Sequence, residues 1–222
     1  MKVLIGCPTT DRYQYCIDQY LNAVHSLDYS NCDLFLVDNS KDLAFYEKLK
    51  NRVEIEHIEY FEEAKERIAQ SRNIIRERVL DGGYDFFLSL EQDILANKDT
   101  LSALLSHNKD IVSAYYGKRK KLLLTENGVV KPFIIDIPVV YLDAGFGRVR
   151  QANAEEVRGK GLLEIGAAGL GCMLISVEVL NKIRFRHALA FDDMLFCEDA
   201  VSLGYPIYLD SNHTVVHLHK PW

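Results

Sequence analysis

The chain has 222 residues, 48% hydrophobic and 26% charged, with a formal net charge of −6. That length buries a sizeable core without disulfides, and that balance excludes a disordered or collagen-like chain. A net negative charge speaks against a nucleic-acid partner, since phosphate binding needs a basic face.

In chain order, Val3-Leu4-Ile5-Gly6-Cys7 predicts a buried strand, ended by Pro8 and Thr9-Thr10. Tyr13 to Leu27 has helical spacing, with Tyr13, Ile17, Tyr20, Leu21 and Val24 on one face. Leu34 to Val37 predicts a second strand, closed by Asp38-Asn39-Ser40, and Ala44 to Lys50 a short helix. Val53 to Tyr60 alternates as a strand does, and Phe61 to Leu80 is helical, capped by Gly82-Gly83. A strand over Tyr84 to Leu90 ends in Glu91-Gln92-Asp93. Thr100 to Ser106 predicts a helix and Ile111 to Tyr116 a strand. After Gly117 come Lys118-Arg119-Lys120-Lys121 and short, Gly- and Pro-interrupted β-like pieces as far as Gly161. Alternation returns with a strand at Cys172 to Ile175 and helices near Val177 to Ile183 and Met194 to Leu203. A strand at Ile207 to Leu209 follows, then Val215 to His219. Strands alternating with helices at this spacing predict βαβ units: an α/β fold with a mostly parallel central sheet flanked by helices. With no repeat and no low-complexity linker, one domain over residues 1–222 is expected. The change of character after Gly117 sets residues up to about 116 apart from the remainder, about 117–222.

Five scattered cysteines (Cys7, Cys16, Cys32, Cys172, Cys197) form no C-x-x-C pair. Structural zinc is therefore not expected, and reduced thiols and a cytoplasmic location are. There is no signal-peptide pattern, and no apolar run reaches the ~18 residues of a transmembrane segment.

The strand ends carry the chemistry. In open α/β sheets ligands bind at the C-terminal edge. Glu91 and Asp93, one residue apart on an extended segment, point the same way. Hard divalent cations take such oxygen ligands, and a bound diphosphate supplies others. Asp38 can bind a ribose hydroxyl or a base, though Asp38-Asn39-Ser40 also reads as a turn and helix cap. Arg72 can pair with a phosphate and Asn73 with a base or sugar, against the plainer reading of a solvated helix face. Gly166-Ala167-Ala168-Gly169-Leu170-Gly171-Cys172 suggests close backbone approach, to a ligand or in a tight packing turn. Asp192-Asp193 can supply a general base or cap a helix. His217 and His219 share one strand face, where His217 can complete the Glu91/Asp93 site. The run Lys118–Lys121, followed by Leu122-Leu123-Leu124, permits peripheral contact with an anionic membrane or a lipid-linked acceptor. A solvated loop is the plainer reading.

Taken in order, these features resemble GT-A fold glycosyltransferases of the broad family 2 type, over nearly the whole chain outside about 118–161. Val3 to Thr9 looks like the opening V-x-I-x-x-P-T strand. Leu36 to Asp42 looks like V-V-D-N-x-S-x-D, one residue shorter, and Ser71-Arg72-Asn73 is similar to A-R-N. Glu91-Gln92-Asp93 stands where that family has D-x-D, with Glu for the first Asp. Asp192-Asp193-Met194-Leu195-Phe196-Cys197, with Ala200, Gly204-Tyr205 and Ile207 to Asp210, looks like E-D-x-x-F-C-x-x-A-x-x-x-G-Y-x-I-Y-x-D, with Asp for the Glu. Gly169 to Ile175 resembles G-x-G-x-x-L-I beside the acceptor.

The resemblance implies a metal-dependent, inverting transfer of a sugar from a nucleotide-diphosphate donor to a carbohydrate or lipid-linked acceptor. In it, residues up to about 116 form the nucleotide and metal half and the remainder the acceptor half, and Glu91, Asp93 and His217 hold Mn²⁺ or Mg²⁺. Pro8, Thr9, Asp38, Arg72, Asn73 and Gln92 hold the donor, and Asp193 is the catalytic acid/base. Two alternatives stay open: a nucleotide-sugar or carbohydrate-binding module without catalysis, and a sugar-phosphate nucleotidyltransferase. The latter usually needs a Gly-rich loop after the first strand, which Cys7-Pro8-Thr9-Thr10-Asp11-Arg12 lacks.

Overall fold

The computed structural model describes residues 1–126 and 129–219, with the backbone alone at 122, 124–126, 129 and 130. Strand β1 (Val3–Thr9) leads through a 3-10 turn (Asp11–Tyr13) into α1 (Ile17–His25). Then follow β2 (Cys32–Asp38), α2 (Ala44–Leu49), β3 (Glu54–His57), α3 (Ala64–Asp81) and β4 (Phe86–Leu90). The short β5 (Ile94–Leu95), α4 (Thr100–Ser106) and β6 (Ile111–Tyr115) close this stretch. Next come the long hairpin β7 (Gly117–Glu126) and β8 (Val129–Pro138), then β9 (Val140–Gly145), β10 (Arg148–Gln151) and α5 (Ala154–Val157). Strands β11 (Leu162–Ile165), β12 (Ala167–Ala168) and β13 (Cys172–Ser176) precede α6 (Val177–Lys182) and α7 (Asp192–Ser202). The described chain finishes with β14 (Ile207–Thr214) and β15 (Val216–His217).

The central sheet has the order β11-β14-β6-β13-β4-β1-β2-β3. Strands β3, β2, β1 and β4 run parallel, as do β6 and β14. Strand β13 is antiparallel to both β4 and β6, and β11 is antiparallel to β14. The mostly parallel sheet is thus observed. Its core strands are covered on both faces, which is why β1 reads as a nearly continuous apolar run. Alternation along β1 sends Leu4 to the core layer of Ile75, Val79 and Phe87, and Val3 and Ile5 to the opposite layer of Ile17, Tyr20 and Leu88.

Several elements differ from their sequence expectation. The helix expected from Tyr13 starts only at Ile17, after the 3-10 turn. The strand expected over Val53 to Tyr60 is ordered as such only at Glu54–His57, where it pairs with β2. The last long helix begins at Asp192, two residues before Met194, so Phe191 rather than an Asp is its N-cap. The Gly82-Gly83 stop holds: Gly82 donates to the Arg78 carbonyl, and Gly83 takes φ +66°, a left-handed position open to glycine.

Candidate active site

The parallel strands deliver β1, β2 and β4 to one edge, where their C-terminal loops meet the start of α7 and strand β15. Two adjoining clefts open there. The smaller, about 260 Å³, is lined among others by Pro8, Thr9, Asn39, Arg67, Arg72 and Gln92. The larger, about 510 Å³, is lined among others by Tyr116, Lys118, Gly169, Asp193, His217 and His219. Arg12, Tyr13, Glu91 and Asp93 border both and mark the junction. Burial, reinforced by the Asp93 and Glu91 charges, pushes the Tyr13 phenol up to about 12, so it stays a neutral donor.

Below the junction lies a buried guanidinium. Arg72, on the inner face of α3, is 2% exposed. Its Nη1 donates to Ser89 Oγ at 2.8 Å and its Nη2 to Glu91 Oε1 at 2.7 Å. Its Nε lies 2.5 Å from Asp192 Oδ2, a charge contact without hydrogen-bond alignment. One cation therefore joins α3, β4 and the first turn of α7. The Glu91 side chain keeps 42% of its exposure, yet it sits on a cleft floor among other acids. Burial, and the charges of Asp93, Asp192 and Asp193, raise its pKa against the pull of Arg72.

Asp93 turns the other way. Its Oδ2 lies 3.2 Å from His217 Nε2. Backbone pairing makes this contact: β15 runs antiparallel to β5 with His217 opposite Ile94, and Leu218 N donates to the Asp93 carbonyl at 2.7 Å. The His217 Nδ1–H donates to the Gly117 carbonyl at 3.1 Å, which aims Nε2 at the carboxylate. Burial works against a charged His217 ring, but Asp93 and the Gly117 carbonyl outweigh it and raise its pKa. Among the described residues, no three His, Cys, Asp or Glu side chains form a preformed metal cage. The structure pairs Asp93 with His217 and commits Glu91 to Arg72.

Asp193 borders the larger cleft, one residue along from the buried Asp192. It accepts from Met194 N at 2.7 Å. Burial and the neighbouring Asp192 raise its pKa, opposed by that N–H and by Arg72. Two acids in the first turn also suit the positive end of the α7 dipole.

The remaining expected donor residues divide. Pro8, Thr9 and Gln92 line the smaller cleft, and Thr9 Oγ1 donates to Gln92 Oε1. Asp38 is fully buried, and its oxygens are taken by Ser40 (N at 3.0 Å, Oγ at 2.5 Å) and His57 Nδ1 at 2.9 Å. Its neighbour Asn39 lines the cleft instead. Asn73 exchanges two hydrogen bonds with the Phe185 backbone, at 2.7 and 3.0 Å, and so ties α3 to the segment before α7. Gly169 and Gly171 serve a tight turn. A Cβ on either would come within 2.4 to 2.6 Å of the Tyr116 hydroxyl, which accepts from Gly171 N at 3.1 Å. Sequence reasoning passed over Arg12, Tyr13, Arg67 and Tyr116 as site residues. Arg67 stands four residues before Ser71 and eight before Ile75, on the stripe that α3 buries, and that spacing was the available signal for it.

No family model matches the chain, and no curated protein matches it by sequence. Solved structures do. The S. aureus TarS fragment 1–349 in complex with UDP-GlcNAc is 18% identical, with a TM-score of 0.62 over 100% of this chain and 59% of that one. Mannosyltransferase PcManGT from Pyrobaculum calidifontis, in complex with GDP-Man and Mn²⁺, is 13% identical, with a TM-score of 0.60 over 99% of this chain and 57% of that one. A197 from STIV is 18% identical, with a TM-score of 0.52 over 99% and 87%. The chain thus spans little more than half the length of TarS 1–349 or PcManGT. What the likeness establishes is architecture: this chain has the GT-A fold.

Proposed function

We propose that the protein is a metal-dependent glycosyltransferase that moves a sugar from a nucleotide-diphosphate donor to an acceptor hydroxyl, with inversion. The observation that carries this reading is the junction. Glu91 and Asp93, the latter held against His217, stand between a cleft rich in arginine and a cleft edged by Asp193. The donor fits the smaller cleft, where Arg12 and Arg67 supply positive charge for a diphosphate and Asn39 and Gln92 supply amides. The acceptor fits the larger one.

Asp93 and His217, with Glu91 beside them, suit Mn²⁺ or Mg²⁺. Carboxylate oxygen fits either ion, an imidazole ligand favours Mn²⁺ over the harder Mg²⁺, and so few protein ligands match a cation completed by substrate phosphates. When bound, the ion supplies positive charge against the leaving diphosphate. The chain's own groups do the rest. Arg72 holds Glu91 and Asp192 in place from below. The neutral Tyr13 phenol can donate to a phosphate oxygen. Asp193 takes the proton of the acceptor hydroxyl. Burial and Asp192 raise its pKa, which makes it a stronger base than an ordinary carboxylate.

Melting the protein with UDP-, GDP-, ADP-, CMP- and dTDP-linked sugars, with and without Mn²⁺, tests the donor site. One metal-dependent shift is expected, together with loss of sugar transfer in Asp93→Asn. No shift with any donor, or full turnover by Asp93→Asn, overturns the proposal.

A further inference from the structure

The β7–β8 hairpin is left unused by the proposed reaction. It is a two-stranded sheet of its own, separate from the central sheet. Its base is fixed at the larger cleft: Gly117 holds His217, Val139 N donates to Tyr116 O, and Lys118 lines the cleft. Beyond the base it carries Lys118-Arg119-Lys120-Lys121 and later Lys131, against Glu126 and Asp136 as its acids. The chain as a whole is at −6, so positive charge is concentrated here.

The same strands expose apolar side chains. Leu123 is 68% exposed, Phe133 49% and Ile134 53%. The register sets Lys121 opposite Ile134 and Leu123 opposite Pro132. Alternation along β7 puts Arg119, Lys121 and Leu123 on one face, across from Asp136, Ile134 and Pro132, and Lys118 and Lys120 on the other with Ile135 and Phe133. Each face therefore combines a net positive charge with apolar side chains. Exposed apolar side chains on an isolated two-stranded ribbon add nothing to its stability in water. A soluble polyanion would use the cations and leave these side chains wet. An anionic bilayer uses both: headgroups take the charge and the acyl boundary takes the apolar groups.

We infer that the β7–β8 hairpin docks the protein on an anionic membrane surface, with the mouth of the larger cleft at the lipid interface. The inference stands apart from the donor-site reading, because docking needs neither nucleotide nor metal.

Co-sedimentation of the whole protein with phosphatidylcholine vesicles, with and without about 30% phosphatidylglycerol, tests it. Salt-sensitive binding to the anionic vesicles alone is expected. Lys120→Glu/Lys121→Glu should weaken it roughly thirtyfold or more, at about fivefold per cation lost. Leu123→Ser/Ile134→Ser should weaken binding that remains at high salt. Both variants alter exposed positions and should melt as the parent does, which separates lost docking from lost folding. Equal sedimentation of parent and variants overturns the inference, as does failure to bind anionic vesicles. Binding to soluble polyphosphate but not to vesicles overturns it too, and marks the hairpin as a polyanion site.

Discussion

Asp193 carries a conflict between chemistry and stability. Its folded pKa is raised by burial and by Asp192. An acid raised on folding stabilises the fold only while protonated; that contribution is full below the unfolded Asp value and is lost as pH rises through the folded one. Wherever it is ionised, Asp193 therefore costs stability. Asp193→Asn should lower transfer by about 10²- to 10⁴-fold. It should also raise the melting temperature at pH 7, by roughly 2–4 °C per kcal/mol relieved for a chain of this size. The gain should fade as pH falls through the raised folded value and be gone below about 4, the unfolded Asp value, where the carboxyl is neutral in both states. A matched pH series of melts and initial rates checks both parts; a destabilised Asp193→Asn at pH 7 would contradict the electrostatic account. That Glu91, Asp93 and Asp193 line the clefts was legible in the sequence, because the ends of parallel strands share one edge of the sheet with the loops and helix starts that face it. Asp38 was not: its orientation is set by His57, its cross-strand partner in β3, and strand register is a tertiary fact. Asn73 misled for a geometric reason. Its amide is taken by the Phe185 backbone, 112 residues along the chain, a tertiary contact that no local spacing reveals.

Among the elements, α3, β4 and α7 are locked together by one side chain. Arg72→Met would leave Asp192 buried and Glu91 without its cation. Broken buried pairs cost about 3–5 kcal/mol, and the partial exposure of Glu91 places this one near the lower end. Urea unfolding should show that loss. Adding Asp192→Asn should cost less than the sum of the single changes, since both act on one network. Arg72→Lys should rescue only in part, because an ammonium cannot reach three partners with the guanidinium's fork. The turn between β12 and β13 is equally constrained. Gly171→Ala drives a Cβ to 2.6 Å from the Tyr116 hydroxyl and should destabilise by about 1–3 kcal/mol, measured by the same unfolding. Periodicity made most elements legible, α4 at both its ends. It gave no direction for Cys172–Ser176, because a short apolar run reads alike whether its neighbours run with it or against it. The insertion was legible only as β-like, since its strands pair with each other through register rather than through a buried stripe.

On the scale of the whole molecule, ligand and fold are linked. A donor that binds only the native state should stabilise it by about 2.7 kcal/mol at roughly 100 times Kd. That amounts to some 5–10 °C for a chain of this size. EDTA should remove most of the shift if Asp93 and His217 hold a cation on the diphosphate, and leave it unchanged if they do not. Among the described residues, no helix is long and apolar enough to cross a membrane.

The placement of β13 has a consequence for how this sheet is made. Strand β4 is synthesised by residue 90 and β6 by residue 115, yet the strand that joins them spans Cys172–Ser176. As the chain leaves the ribosome, β4 must wait with an open, apolar edge for more than 80 residues before its partner exists. Long-range pairing of this kind is slow, and an unpaired edge recruits other chains. The first 116 residues, although they hold most of the cleft-lining loops, should not survive alone. Expressed as a fragment they should collect as aggregate, and co-expression of residues 117–222 should restore soluble protein by supplying the missing central strand.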